Sequence, residues 1–410
     1  MRIMVQKFGG TSVATKERML QVLDKVRAGL QNGCKVLVVL SARAGETNNL
    51  LALANEWSDE PDPAECDVLV STGEQVSVAL FSMLLKDAGI KARSCTGTQI
   101  GIVTNDTFGK ARIRTISKET IAQMFKDHDV LAVAGFQGIT DQGRITTLGR
   151  GGSDTSAVAL AAASHAELCE IYTDVEGVFT TDPNVCGKAR KLERVSYDEM
   201  LEMASMGAKV LEIRSVEFAK KFKVPVLVRS TFSDAPGTLV TQEDQSMEHI
   251  MVSGIAYDKD QARITLRSVR DTPGVAAAIF GPLAAAKLSV DMIVQTPSRE
   301  GVTDMNFTVS RKDLKKALEI MDDVSKTVGG IEVLYDDTVA KVSAIGVGMR
   351  NHSGVAAKTF AALQTENINI IMISTSEIKI SCVIEEKYTE LAVRTLHDAF
   401  GLDKSSYLEG

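Results

Sequence analysis

Three segments of this chain place glycines beside charged side chains in patterns suited to holding phosphates and carboxylates. The first is KFGGTS (residues 7–12), where an apolar run ends and a helical pattern begins. A glycine pair there lets backbone N–H groups approach phosphate oxygens, and a following helix adds partial positive charge. Lys7 then faces the phosphates as a point charge, with Gly9 and Gly10 as the cradle. A purely structural tight turn accounts for the same pair, and no GxxxxGK[ST] loop occurs. The second is GRGGSDTSA (149–157), in which Arg150 offers a planar fork for a carboxylate. Ser153 and the amides of a helix start add neutral donors there, and Asp154 falls in the first turn. The third is YTDVEGVFTTDPN (172–184), which delivers Thr173 and Asp174 to the end of a β-like run and continues through Phe179 and Asp182. Ligands of α/β sheets bind at such carboxyl edges.

These segments need a sheet to carry them. Candidate strands are 3–7, 35–41, 130–136, 169–175 and 224–230, several of them continuous apolar runs of the kind that parallel strands buried on both faces show. Helical patterns fall near 16–30, 67–88, 117–126, 154–164 and 196–222, giving an alternating α/β order. FQGITDQGRITTLGRGG reads as a hairpin turning at DQG and leading into the second glycine loop.

Composition narrows the ligands. At 410 residues the chain exceeds one ordinary core, so two to four domains are expected. The net charge of −7 and the lack of a Lys/Arg block give no attraction to nucleic acid. No stretch of about 18 uninterrupted apolar residues marks a membrane span, and no secretion signal is seen, so a soluble, cytoplasmic protein is expected. The six cysteines and five histidines are scattered without zinc spacing, so reduced thiols and no protein metal cage are expected.

The second half contains a repeat. Residues 272–296 laid over 352–376 share Gly274, Val275, Ala276, Ala277, Phe280, Leu283, Met292 and Ile293 with Gly354, Val355, Ala356, Ala357, Phe360, Leu363, Met372 and Ile373. Each copy is preceded by a β-like run (ARITLRSV; AKVSAIGV) and followed by another plus an amphipathic helix, so the unit is βαββα. The polar stretch TQEDQSMEH (241–249) reads as the linker between the halves.

With SARAGETNN (41–49), STGEQ (71–75), FQGIT (136–140) and GAKVLEIRSVEFA (207–219), the three segments resemble the aspartokinases of the amino-acid kinase superfamily, and the repeat resembles their paired ACT domains. The resemblance covers essentially the whole chain. It implies a carbamate-kinase-like three-layer α/β/α sandwich over 1–245, a linker over 246–262, and ferredoxin-like ACT domains over 263–338 and 339–410. It implies transfer of the γ-phosphoryl of ATP to the β-carboxylate of L-aspartate, with Mg2+ held mainly by ATP oxygens. Lys7, Asp154 and Lys209 are then the catalytic set. Arg150 takes a substrate carboxylate, Glu74 the α-ammonium, and Ser41, Thr47 and Ser153 are further substrate contacts. Nucleotide contacts fall to Lys7, Gly9, Gly10, Thr173, Asp174, Phe179, Asp182 and Lys209.

In similar proteins ACT units pair across subunits and bind pathway end products. The matching positions here are Asp271, Gly274, Asp291 and Gln295 in the first repeat and Asn369, Ile370, Ser376 and Glu377 in the second. Lysine and/or threonine are the expected effectors, in a homo-oligomer joined through these domains. Met247 or Met251 is a candidate start for a separately translated regulatory subunit. The alternatives are a kinase of the same superfamily acting on glutamate, acetylglutamate or a nucleotide, and a catalytically silent amino-acid sensor. The paired repeats argue against the first, and the retention of Lys7, Glu74, Arg150 and Asp174 argues against the second.

Overall fold

Val36, Leu37, Val38, Val39 and Leu40 are all fully buried, which happens only where a strand is covered on both faces. The computed structural model describes residues 1–206, 210–297, 300–329 and 331–404, apart from the side chains of residues 246 and 248. They divide into two units, Met1–Val178 with Lys191–Asp244, and Phe179–Arg190 with the chain from Gln245 onward.

The first unit runs β1 (Ile3–Phe8), α1 (Lys16–Gln31), β2 (Lys35–Leu40), α2 (Glu46–Trp57), α3 (Pro63–Asp87), β3 (Ala92–Cys95), β4 (Ile102–Thr104), β5 (Ile113–Ile116), α4 (Lys118–Asp127), β6 (Val130–Ala134), β7 (Gln137–Thr140), β8 (Ile145–Thr147), α5 (Gly152–Ser164), β9 (Leu168–Thr173), β10 (Arg194–Ser196), α6 (Tyr197–Ser205), α7 (Ile213–Phe222), β11 (Val226–Ser230) and β12 (Thr238–Thr241). Its main sheet has the order β10-β12-β11-β9-β1-β2-β6-β3. Every pairing in it is parallel except β11 with β12. Val36, Val38 and Leu40 face a core shared with Val22 and Val26 of α1 and Val78, Phe81 and Leu85 of α3. A small sheet, β5-β4-β7-β8, contains the expected hairpin, with Ile139 opposite Ile145.

Local chemistry sets the boundaries. Asp62 accepts the backbone N–H groups of Ala64 and Glu65, and Pro63 occupies the first helical position, so α3 starts there. The single helix expected over 196–222 is two helices. A Ser196–Glu199 capping box starts α6, and α7 begins after Glu212, whose backbone is extended (φ −77°, ψ 136°). Residues 46–57, read as no element from sequence, form α2, a helix in which no residue is buried.

The second unit continues with α8 (Gln245–Glu248), β13 (Gly254–Arg270), α9 (Val275–Ala285), β14 (Val290–Gln295), β15 (Val302–Val309), α10 (Arg311–Val328), β16 (Glu332–Ile345), α11 (Val355–Thr365), β17 (Met372–Thr375), β18 (Lys379–Glu385) and α12 (Thr389–Phe400). All six strands join in one sheet, β14-β15-β13-β16-β18-β17. Residues 254–262 are therefore not a linker: β13 spans 254–270, and the boundary expected at 338/339 lies inside β16. The reason is in the register. Gly254–Asp258 pairs with Ile345–Lys341, while Arg263–Arg267 pairs with Asp336–Glu332. Each long strand thus gives one half to each βαββα repeat. Each repeat has its own core, around Ile264, Ile279 and Phe307 in one and Val342, Leu363 and Ile384 in the other. The recurring Met292 and Met372 meet with Val339 and Val383 in a third cluster.

Candidate active site

β1 ends at Phe8 and β2 at Leu40, and the chain beyond them is laced together: Ser41 N–H donates to Phe8 C=O (3.2 Å) and Ala44 N–H to Gly10 C=O (3.1 Å). A Cβ on Gly10 would stand 2.7 Å from the Ala42 carbonyl oxygen, so only glycine allows this approach. Lys7, at the end of β1, is nine-tenths buried, and its Nζ lies 2.5 Å from Asp154 Oδ1 in the first turn of α5. The lysine is therefore held over the glycine turn at the positive end of a helix, where an anion is favoured from two directions.

The glycine loop before α5 is packed as tightly. Gly151 has φ +65°, and a Cβ there would meet Glu212 Cγ at 2.3 Å. Burial, reinforced by the charge of Asp154, raises the Glu212 carboxyl above its ordinary value, while Arg150 and Arg214 act against that rise. Ser153 is buried in the first turn of α5, and Arg150 is exposed.

Lys7, Ser41, Thr47, Glu74, Arg150, Ser153 and Asp154 all line one cavity of about 220 Å³, with Ala42, Phe136 and Gly149–Gly152 completing the wall. Sequence reading named these seven from segments far apart in the chain, and the fold brings them together. Glu74 is 3% exposed. Its Oε1 accepts the Ala42 N–H (3.1 Å), and its Oε2 has no hydrogen-bond partner among the described residues. Burial raises its carboxyl to about 7. A buried acid with an open oxygen in a cavity is set to receive a cation.

Thr173 and Asp174 stand at the carboxyl end of β9, next in the sheet to β1 and its glycine turn, with Thr173 Oγ1 donating to Asp174 Oδ1 (3.1 Å). They are outside the cavity wall. Phe179 and Asp182 belong to the other unit. The Asp182 carboxylate there accepts from Asn184 N–H (2.8 Å), Asn184 Nδ2 (3.0 Å) and Tyr257 O–H (3.1 Å). These bonds hold the carboxylate in its own loop. Lys209 lies outside the described residues.

Two supports escaped sequence reading. Arg214, in the first turn of α7, donates to the carbonyls of Leu148 and, at 2.9 Å, of Ala111, clamping the strand end that feeds the glycine loop. A basic residue in a first helical turn opposes the helix dipole, and that mismatch is the signal that could have found it. Arg214→Ala should raise the KM for the acidic substrate about tenfold at saturating nucleotide, the loss of one charge-assisted pair, with steady-state kinetics as the check. Glu170, buried in β9, accepts from Gln6 Nε2 (2.8 Å), Tyr172 O–H (3.1 Å) and Arg229 (3.1 Å). This fixes Tyr172, whose ring stacks on Phe8 at 4.6 Å beneath the glycine turn.

In the second unit, Ser376 and Glu377 line a cavity of about 530 Å³ with Arg350, His352, Gly354 and Thr375, at the junction of strand and helix in the second repeat. Arg350 Nε lies 3.4 Å from Glu377 Oε2. Asn369 and Ile370 precede β17 and are not in that wall. In the first repeat, Gly274 caps α9 with φ +93°, Asp271 and Gln295 are exposed, and Asp291 forms an ion pair with the buried Lys341.

A mostly parallel sheet with a glycine turn at its carboxyl edge, followed by paired βαββα units, is the architecture of the amino acid kinase family with ACT domains. The profile of that family matches residues 2–230, ACT domain profiles match 264–326 and 342–400, and the chain belongs to the family. Similar proteins within the family include aspartate kinases. One from Stutzerimonas stutzeri (strain A1501) is 54% identical over 404 residues, covering 98% of each chain. The crystal structure of E. coli aspartokinase III in complex with aspartate and ADP (R-state) is 30% identical, with a TM-score of 0.78, covering 97% of this chain and 99% of that one. The same enzyme in complex with lysine and aspartate (T-state) is 30% identical with a TM-score of 0.76, covering 97% and 99%.

Proposed function

We propose that the chain phosphorylates the β-carboxylate of L-aspartate with Mg-ATP, giving 4-phospho-L-aspartate and ADP, under feedback control through its ACT domains. The observation that carries the reading is the charge layout of the 220 Å³ cavity: the guanidinium of Arg150 for a carboxylate, the open carboxylate oxygen of Glu74 for an ammonium, and Lys7 for a phosphoryl group. An amino dicarboxylic acid matches those three charges.

The acceptor carboxylate is ionised at neutral pH, so no general base is needed. One of its oxygens forms the new P–O bond while the bond from the γ-phosphorus to the bridging oxygen breaks, and ADP leaves with that electron pair. Arg150 and Glu74 orient the amino acid, with Ser153 and Thr47 as hydrogen-bond donors. Lys7, steered by Asp154, meets the negative charge of the transferring group. The Gly9–Gly10 turn receives phosphates, with Thr173 and Asp174 beside it on the nucleotide side. Bound Mg2+ neutralises phosphate charge. Mg2+ keeps most of its hydration shell and would be carried by phosphate oxygens and water, with Asp154 and Asp174 as the acids of the site that could orient that shell.

Glu74 supplies a pH signature. Its carboxyl is raised to about 7, so the charge that receives the ammonium is present above that pH and is lost below it. kcat/KM for aspartate should therefore fall about tenfold per pH unit below 7, and Glu74→Gln should flatten the profile at a low level. A wild-type profile level from pH 6 to 8 contradicts this role.

For regulation, the cavity holding Ser376 and Glu377 suits an amino-acid effector, and lysine, threonine or both are the candidates. A homo-oligomer joined through the ACT units, with or without a separately translated C-terminal subunit, completes the reading. The deciding assay measures ADP release with aspartate, glutamate and acetylglutamate, then with lysine and threonine singly and together. Turnover with aspartate alone, lowered by at least one effector condition, is expected. Preference for another acid refutes the substrate, and indifference to both effectors refutes the regulation.

A further inference from the structure

The Gly9–Gly10 turn has no side chains with which to fix itself. Lacking a Cβ, the two glycines gain close approach, and the same lack leaves their backbone more freedom than other residue types have. Their geometry must be set from outside. On the acceptor side Ala44 N–H donates to Gly10 C=O (3.1 Å). The counterpart on the nucleotide side is Ser12, fully buried in the single 3-10 turn Gly10–Val13, with its N–H donating to Gly9 C=O (3.0 Å). Ser12 Oγ lies 2.7 Å from Thr231 Oγ1, a hydrogen bond between residues 219 positions apart in the chain.

Thr231 is the first residue beyond β11 and is 2% exposed. Its N–H donates to the carbonyl of Thr173 (3.0 Å), the residue that ends β9. One buried threonine thus grips the glycine turn through its hydroxyl and the Thr173–Asp174 edge through its amide. The loop that carries it is fastened to α1, the helix into which the turn leads. Arg18 donates to Thr11 C=O (2.6 Å) and lies with its guanidinium 5.1 Å over the Phe232 ring. Lys25 pairs with Asp234 at 2.7 Å, and Phe232 N–H donates to Ser230 Oγ (3.1 Å). Ser12 and Thr231 are both outside the wall of the 220 Å³ cavity, so their hydroxyls act on the site through the turn.

We propose, on the reading of that turn as the phosphate site, that Thr231 is a positioning residue: its hydroxyl holds Ser12, and through it the Gly9–Gly10 amides, in register with Thr173 for the nucleotide phosphates. Amides that receive phosphate oxygens must point correctly, and a displacement of about 1 Å costs up to about 10²-fold in rate. Without the Thr231 hydroxyl, Ser12 loses its partner and the turn loses its tether on that side. The acceptor side is held by bonds that do not pass through Thr231, those of Ala44, of Glu74 with Ala42 and of Arg214 with Leu148.

The test is Mg-ADP affinity by calorimetry, with steady-state kinetics beside it, on wild type, Thr231→Val, Thr231→Ser and Ser12→Ala/Thr231→Val. Valine keeps the shape of threonine and removes the hydroxyl. Thr231→Val should weaken Mg-ADP and raise the KM for ATP about tenfold, the worth of one buried hydrogen bond, while the KM for aspartate stays within about twofold. Thr231→Ser restores the hydroxyl and should return both to within about threefold of wild type. The double variant separates positioning from stability, because it strands no buried hydroxyl. It should melt closer to wild type than Thr231→Val does and bind Mg-ADP no better, and it decides the matter where Thr231→Val alone does not fold. Wild-type Mg-ADP affinity in either valine variant, or equal losses for ATP and aspartate, overturns the proposal while leaving the phosphate site in place. A wild type that binds no Mg-ADP overturns that site and the proposal together.

Discussion

Lys7→Ala should keep the fold and lower kcat about 10²–10³-fold, the usual cost of removing one preorganised charge from a developing anion. The lysine sits with its ammonium 2.5 Å from Asp154 and only 11% of its side chain exposed, so its geometry is set before substrate arrives. The same substitution strands a buried carboxylate, which should cost stability of about 3 kcal/mol. The two effects separate in a cycle. Lys7→Ala/Asp154→Asn should regain most of the thermal stability and none of the turnover. Thermal unfolding and single-turnover kinetics on the set provide the check, and a Lys7→Ala enzyme with full kcat overturns the site.

Arg150→Ala should raise the KM for aspartate about 10²-fold, from the loss of a bidentate charge-assisted contact, while leaving the KM for ATP within about twofold. Arg150 lines the cavity but is itself exposed at its mouth, so its removal strands no buried partner and stability should stay within about 0.5 kcal/mol. Arg150→Lys should recover little, because an ammonium cannot present two parallel donors. Equal KM increases for both substrates would place Arg150 on the phosphates instead.

Much of this was legible in the residues. The continuous apolar strands, the DQG hairpin and the glycine turns are local patterns, and local patterns survive in a linear reading. The βαββα repeat was equally plain, since its cores recur at one offset. The misses have a common cause. α2 gave no signal because no face of it is buried, and periodicity reports burial. The break between α6 and α7 involves the extended backbone at Glu212, whose side chain packs directly against Gly151. The bonds that Asp182 accepts from Asn184 and Tyr257 were not legible either, because Tyr257 lies 75 residues away in the chain.

By itself the sequence determined the two classes of unit and the residue types of the site, because glycine turns, strand runs and a repeat are written within a few tens of residues. Only the tertiary structure decided that Lys7 meets Asp154, that Glu74 is buried with one oxygen open, that Arg214 clamps the loop of Arg150, and that β13 and β16 are shared between the repeats. Those facts rest on contacts between segments far apart in the chain. Which oxygen stays unpaired, and which half-strand finds which, follows from packing that no local pattern encodes.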